Sequence, residues 1–354
     1  MSSPHLRGQT PASLVALAAD ALLPEDVARR VLTRLVADDR DDLDGVRGLS
    51  KRARAALVAR GRLARLVVLD RRRSEVDPFV KYLFRGEDGL VFESVRIPLE
   101  RPRWSVCVSS QVGCALGCAF CETGRLGFTR NLEPWEMVEQ VLTVRRESPE
   151  RPVTGVVFQG QGEPFQNYES VIRAAEILRA PWGARIRGDR ITISTVGLVP
   201  PIDRYTDEGH PYRLILSLTS AFDDKRASLM PVGSRYPVDD LAAAMRRHAA
   251  ARGAYVHLAW VLMAGVNTGP EEAEALSRLF AGVRVRLSLI DVNDPTGRFR
   301  PPDAAERGRF LSALAERHIP FVRRYSGGPD IHAACGMLAG RTRGGLPVAS
   351  TCWE

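Results

Sequence analysis

The stretch Gly113-Cys114-Ala115-Leu116-Gly117-Cys118-Ala119-Phe120-Cys121 decides how the rest of the chain is read. Its cysteines follow a C-x3-C-x2-C spacing, three thiolates where a cubane iron–sulfur cluster ordinarily takes four. A cluster held by Cys114, Cys118 and Cys121 alone keeps one iron open to bind a small molecule and pass it an electron. The triad therefore points to chemistry rather than to electron storage. Zinc fits poorly, because a structural zinc site needs a fourth Cys or His at ligand spacing and the next histidine is His210. Disulfides fit worse, since an odd group of three cysteines this close together cannot pair off.

Downstream of the triad, strand-like runs at 104–110, 154–161, 190–196, 213–220, 255–263 and 283–290 alternate with helical patterns over 135–146, 168–178, 238–251, 271–280 and 304–318. Six strand-then-helix units predict an α/β fold, a partial (β/α)6 barrel of the TIM type. Chemistry in such barrels sits at the C-terminal ends of the strands. The chain places Gly160-Gln161-Gly162-Glu163-Pro164, Ser194-Thr195-Val196-Gly197, Ser217-Leu218-Thr219 and Asp291-Val292-Asn293 there. Upstream, amphipathic spacing predicts helices over 12–23 and 24–38 and a third beginning at a Ser50 cap. Alternation over 66–100 predicts a small antiparallel sheet. The expected organisation is an N-terminal helical domain at 1–65, a β extension at 66–100, a core barrel at 101–340 and a tail at 341–354.

Composition sets bounds on this reading. A 45% hydrophobic fraction over 354 residues excludes general disorder. The formal charge is +8, and the cations are almost all arginine, the lysines being Lys51, Lys81 and Lys225. Arginine matches phosphate bidentately and stacks on bases, so RNA is a reasonable partner; a GC-rich coding sequence with solvated arginines would look the same. The cluster Lys51, Arg52, Arg54, Arg60 and Arg62 could face phosphates. No apolar run approaches the roughly 20 residues that span a bilayer, and the start Met-Ser-Ser-Pro-His-Leu-Arg holds no signal-peptide stretch, so no membrane partner and a cytoplasmic setting are expected.

The cysteine loop after a first strand, Phe120 just before the last cysteine, and the Gly-Glu-Pro turn after the second strand resemble the radical S-adenosylmethionine (SAM) superfamily. Four runs are similar to the RlmN/Cfr type of RNA adenine methyltransferases. They are Cys107-Val-Ser-Ser-Gln-Val-Gly-Cys114, Thr123-Gly-Arg-Leu-Gly-Phe-Thr-Arg-Asn-Leu132, Ser194-Thr-Val-Gly-Leu-Val-Pro200 and Ala334-Cys335-Gly-Met-Leu-Ala-Gly340. The likeness spans about residues 85–340 in order. It implies one [4Fe-4S] cluster on the triad and SAM held by Gly162, Glu163, Ser194, Ser217, Leu218, Thr219 and Asn293. It further implies that Cys335 is methylated and carries the methyl group, that Glu93 accepts the proton from the RNA adduct, and that Cys107 resolves the adduct through a transient disulfide with Cys335. Two SAM molecules per turnover are implied. So is an adenine ring carbon as target, C2 first and C8 second, in ribosomal RNA and also in transfer RNA. An electron donor such as flavodoxin or ferredoxin and a monomeric enzyme complete the expectation.

Several residues have plain readings without the resemblance. Cys107 would be a buried apolar thiol and Glu93 a solvated strand carboxylate. Cys335 lies in a small-residue loop, and Cys352 has no motif partner. The chain departs from the family pattern at Gln161 (commonly Met), Thr219 (commonly His), Asp291-Val292 (commonly Pro-aromatic) and the segment Asp294-Pro295-Thr296-Gly297-Arg298. Such changes on a barrel's active face bear on substrate more than on chemistry. Two alternatives stand beside the RNA reading: a radical SAM enzyme of this scaffold acting on a natural product or peptide, and an RNA-binding protein with a structural cluster. Holding both Cys107 and Cys335 favours RNA, because the pair suits methylene transfer to an aromatic ring carbon.

Overall fold

Helix starts are written into the first residues. The Thr10 hydroxyl accepts the Ser13 N–H at the start of α1 (Pro11–Leu17), and Pro11 supplies the fixed φ of a first helical position. Glu25 and Asp26 occupy the first turn of α2 (Glu25–Leu32), where acids meet the positive helix end. The Ser50 hydroxyl accepts the Ala53 N–H to open α3 (Lys51–Arg60). The helix expected over 12–23 stops early, because Leu22 adopts φ +49° after a short 3-10 turn. The structure, a computed structural model, describes residues 3–339; Cys352 and the tail expected from residue 341 lie outside the described residues.

The β extension is continuous with the barrel. Strands β1 (Val67–Arg73), β2 (Val80–Arg85) and β3 (Val91–Pro98) are antiparallel, and β3 pairs antiparallel with β4 (Trp104–Val108), Val95 opposite Cys107. After β4 come a hairpin of β5 (Gln111–Gly113) and β6 (Phe128–Asn131) that encloses the short α4 (Glu122–Arg125), and then α5 (Pro134–Glu147). The parallel part follows as β7 (Val153–Phe158), α6 (Tyr168–Arg179), β8 (Ile191–Thr195), α7 (Val199–Asp207), β9 (Arg213–Ser217), α8 (Asp223–Leu229) and α9 (Val238–Arg252). It ends with β10 (Val256–Leu262), α10 (Pro270–Leu279), β11 (Val285–Asp291), α11 (Ala304–Glu316) and β12 (Phe321–Arg323). One ten-stranded sheet results, in the order β1-β2-β3-β4-β7-β8-β9-β10-β11-β12, parallel from β4 onward. It is open between β1 and β12, a partial barrel.

Strand alternation divides the barrel into an outer core and a lumen. On β10, Val256, Leu258, Trp260 and Leu262 face the helices, and Trp260 packs 6.0 Å from Phe310 of α11. Deleting so large a buried side chain costs about 3–5 kcal/mol. The opposite rows face the lumen: Arg213, Ile215 and Ser217 on β9, His257, Ala259 and Val261 on β10, and Arg286, Ser288 and Ile290 on β11. The N-terminal helices share the same core, anchored by His5 stacked 4.1 Å over Trp135 of α5. Among the described residues no helix is long and apolar enough to cross a membrane.

Candidate active site

The cluster loop is fixed by its glycines and its neighbours. Gly113 holds φ +74°, and a Cβ there would lie 1.9 Å from the Gly127 carbonyl oxygen, so only glycine lets β5 meet β6. The Cys114 N–H then donates to Gly127, Ala119 to Leu229, and Cys121 to Cys118, closing a tight turn. The loop brings Cys114, Cys118 and Cys121 to one cavity at the C-terminal ends of the strands. Burial pushes all three thiols up, Cys114 to about 11, and their mutual charge adds to the cost of ionising Cys114 and Cys118.

That donor set fits an iron–sulfur cluster. Three crowded thiolates need a compensating positive charge. A cubane gives each thiolate its own iron, so its ligands stand further apart than those of one tetrahedral zinc.

The turn after β7 faces the triad. Gly162 adopts φ +96°, with space for a Cβ filled by the Gln111 side chain at 2.5 Å. The Glu163 N–H donates to Gln111 Oε1 at 2.9 Å, and the Glu163 carboxylate accepts the N–H groups of Phe165 and Val196 at 3.0 Å each. Burial pushes the Glu163 carboxyl up to about 7 despite those donors and Thr195, so a cationic ligand group would restore its charge. Ser217, Thr219 and Asn293 line the same cavity. The Ser194 hydroxyl lies 3.4 Å from that of Ser217, just behind the surface. Leu218 is buried in the main core instead, its N–H donating to Ala259.

Cys107 and Cys335, some two hundred residues apart in sequence, line this one cavity together. Burial and then the Cys335 sulfur push the Cys107 thiol up to about 12, while the Arg324 charge pulls it down. Both cysteines are free thiols in this structure. The Cys335 loop is stitched to the cluster segment: Glu122 N–H donates to the Gly336 carbonyl at 2.7 Å and Thr123 Oγ1 to Leu338 at 2.6 Å. Cys335 itself donates its N–H to Ser326 Oγ at 2.7 Å.

Glu93 on β3 sits behind this surface, fully buried rather than solvated. Lys81 Nζ approaches one carboxylate oxygen to 2.8 Å, and the Ala339 N–H donates to the other at 2.8 Å. The Glu93 N–H donates to the Gln161 side-chain oxygen at 3.0 Å. Lys81 escaped the sequence reading, although a lysine between Val80 and Tyr82 in an apolar strand is itself a signal. Arg324, which follows β12 and lines the cavity, gave no motif at all.

The fold and the cysteine loop define the radical SAM class, and the pattern of the radical SAM superfamily matches residues 108–277. The chain is 55% identical over 290 residues, 81% of its length and 84% of the relative's, to a probable RNA methyltransferase of Anaeromyxobacter sp. (strain Fw109-5). It is 38% identical to the dual-specificity RNA methyltransferase RlmN of Syntrophotalea carbinolica, over 89% of this chain and 83% of that one. The crystal structure of a radical SAM methyltransferase from Sphaerobacter thermophilus superposes with a TM-score of 0.87 at 40% identity, covering 96% of this chain and 100% of that one. The chain belongs to the RlmN-type family of radical SAM methyltransferases. Its cofactors are accordingly a [4Fe-4S] cluster and SAM.

Proposed function

We propose that this enzyme methylates a ring carbon of adenine in RNA, C2 in preference to C8, in ribosomal RNA and also transfer RNA. The meeting of Cys107 and Cys335 in the cavity lined by the cluster cysteines carries the proposal, because a methyl carrier and a resolving thiol are both needed for a covalent route. The RNA methyltransferase names of the relatives support RNA as the substrate.

Cys114, Cys118 and Cys121 hold the cluster, and Gly162, Glu163, Ser194, Ser217, Thr219 and Asn293 form the cofactor's surroundings, with Leu218 supporting Ser217 and Thr219 from the core. When bound, the cluster and SAM supply a carbon radical able to open an aromatic C–H position that no ordinary base deprotonates. Cys335 carries the methyl-derived carbon to the base, one SAM supplying the methyl and a second the radical. Glu93, held in place by Lys81, takes up the ring proton of the adduct, whose odd electron would pass back to the cluster, so that a closed-shell thioether is what Cys107 resolves. The Cys107 thiolate then attacks the Cys335 sulfur: an S–S bond forms, the S–C bond breaks, and its electron pair stays on the methylene carbon, which gains a proton and becomes methyl. The high cost of ionising buried Cys107 keeps it a thiol until that step. The proposal extends to helical residues 1–65 as an RNA-contacting accessory, to flavodoxin or ferredoxin as electron donor, and to a cytoplasmic monomer.

The test is a trap. Cys107→Ala enzyme isolated from cells should carry covalently attached RNA, and sequencing that RNA should map to one adenine. An intact cluster and methylated Cys335 without attached RNA would overturn the reading.

A further inference from the structure

The lumen has a second mouth. At the N-terminal ends of the strands, on the far side of the barrel from the cysteines, lies a cavity of about 600 Å³. That is within the roughly 300–1,000 Å³ typical of small-ligand sites. Ile97, Val157 and Ile215 line its apolar part. Five arginines surround it: Arg103, Arg190, Arg213, Arg286 and Arg324, with His257 among them.

These guanidinium groups are not neutralised from within. Among the described residues none of the five forms an ion pair with a carboxylate, and one carboxylate-bearing residue, Asp189, lines the cavity. The Asp189 side chain is engaged by Arg187 at 3.0 and 2.9 Å, and what it offers Arg213 is its backbone carbonyl, at 3.2 Å. The crowding is felt inside the cavity. Burial and then the charges of Arg213 and Arg286 push His257 down to about 4; burial also pulls Arg213 down, the Asp189 charge offsetting this in part and those of Arg286 and Arg324 adding to it. Arg103 Nε is shielded from solvent without a hydrogen-bond partner. Water reaches Arg213 and Arg286, and Arg286 also lies over the Tyr255 ring, but forks without a carboxylate partner around one roomy cavity are favourably placed for an anion with several charges and several acceptor oxygens.

We propose that this mouth binds phosphate groups, as an anion site at the opposite end of the lumen from the methyl-transfer cavity, with Ile97 and Arg324 lining both. A single carboxylate could not answer five guanidinium groups; an oligophosphate or a bend of RNA backbone could. Both sources offer the same chemistry, and RNA reaching it would wrap the barrel from the catalytic end to the opposite one.

The experiment uses holoenzyme with its cluster loaded. Tripolyphosphate binding is measured by calorimetry, and binding of a labelled RNA oligonucleotide by anisotropy across a salt series. The cavity pair Arg213→Gln/Arg286→Gln is compared with a surface pair, Arg173→Gln/Arg309→Gln, which removes equal charge from exposed positions outside the cavity. Wild type should bind about one tripolyphosphate per chain, and the cavity pair should bind it at least about tenfold more weakly while the surface pair is unchanged. If RNA backbone is the natural occupant, the salt slope for RNA falls by about 2 in the cavity pair alone. Cluster absorption and circular dichroism report folding, and Arg103→Gln/Arg190→Gln serves as a second cavity pair should the first not fold. Equal behaviour of cavity and surface pairs toward both probes overturns the proposal. Methyl transfer is not the readout, so this outcome is independent of the reaction proposed above.

Discussion

Replacing Lys81 by Met isolates what the buried ion pair beneath the active site contributes. Lys81 and Glu93 are 4% and 0% exposed and stand 2.8 Å apart. Lys81 also donates to the His332 carbonyl at 3.2 Å, and the second Glu93 oxygen accepts from Ala339. Methionine matches the lysine stem in length but removes the cation that stands 2.8 Å from the buried carboxylate. Removing one partner of such a pair costs about 3–5 kcal/mol. In a chain of this size that lowers the thermal midpoint by about 6–10 °C, taking roughly 2 °C per kcal/mol. Scanning calorimetry of wild type, Lys81→Met, Glu93→Gln and the double variant would measure it. The double variant removes both charges and should recover most of the loss, since the penalty belongs to the buried negative charge rather than to lost packing. A midpoint within about 2 °C of wild type for Lys81→Met, or a double variant no better than the single, refutes the reasoning. In the same variant SAM cleavage should persist while RNA methylation falls, because the triad and the Glu163 turn are untouched.

Three further outcomes follow from the geometry. Cys118→Ala should abolish the visible iron–sulfur absorption, whereas Cys335→Ala should keep it and lose methyl transfer; equal spectra for the two would contradict the roles assigned. Gly162→Ala forces a side chain into φ +96° against Gln111, a strain of about 1–3 kcal/mol, and should weaken SAM binding measured by calorimetry without removing the cluster. Burial holds His5 down at about 3, well below the 6.5 of an exposed histidine, so the unfolded chain takes up a proton that the folded chain refuses. Stability conferred by neutral His5 is thus complete above about pH 6.5 and lost toward pH 3, with a slope of up to about 1.4 kcal/mol per pH unit that denaturant titration should find and His5→Gln should flatten.

The features that depend on local pattern were readable in the sequence. The cysteine spacing, the six strand-and-helix repeats and the Gly-Glu-Pro turn each carry their own signal, and the strands lie where alternation puts them. What escaped depends on tertiary setting. Helix α7 begins Val199-Pro200-Pro201, and prolines that read as breakers serve at its first turn. Helix α8 has seven residues and β12 three, too few for a period to show. Glu93 looked solvated because its neighbours alternate; burial on both faces came from β2, β4 and the Cys335 loop folding over it, none of which a single strand can announce.

The positions that depart from the family pattern are where local and tertiary signals can be weighed together. Asp291 answers Arg307 and Arg323 at 3.3 Å each, so it closes the β11 end by charge rather than by an aromatic ring. Thr219 holds φ +64° with its hydroxyl buried and without a hydrogen-bond partner, on the wall of the cavity that the cluster cysteines line. Gln161 does more than fill a methionine's volume. Its side chain accepts the Glu93 N–H, its own N–H donates to Ser109 Oγ at 2.8 Å, and its carbonyl accepts from Ser110 and Gln111. Ser109 in turn donates to the Glu93 carbonyl. Methionine could keep the backbone bonds and not the one to Glu93. In this chain, then, the strand bearing the proposed proton acceptor and the turn bearing Gly162 and Glu163 are joined by a side-chain amide, so a shift in one displaces the other. A departure that the sequence marked only as unusual couples the two halves of the proposed reaction.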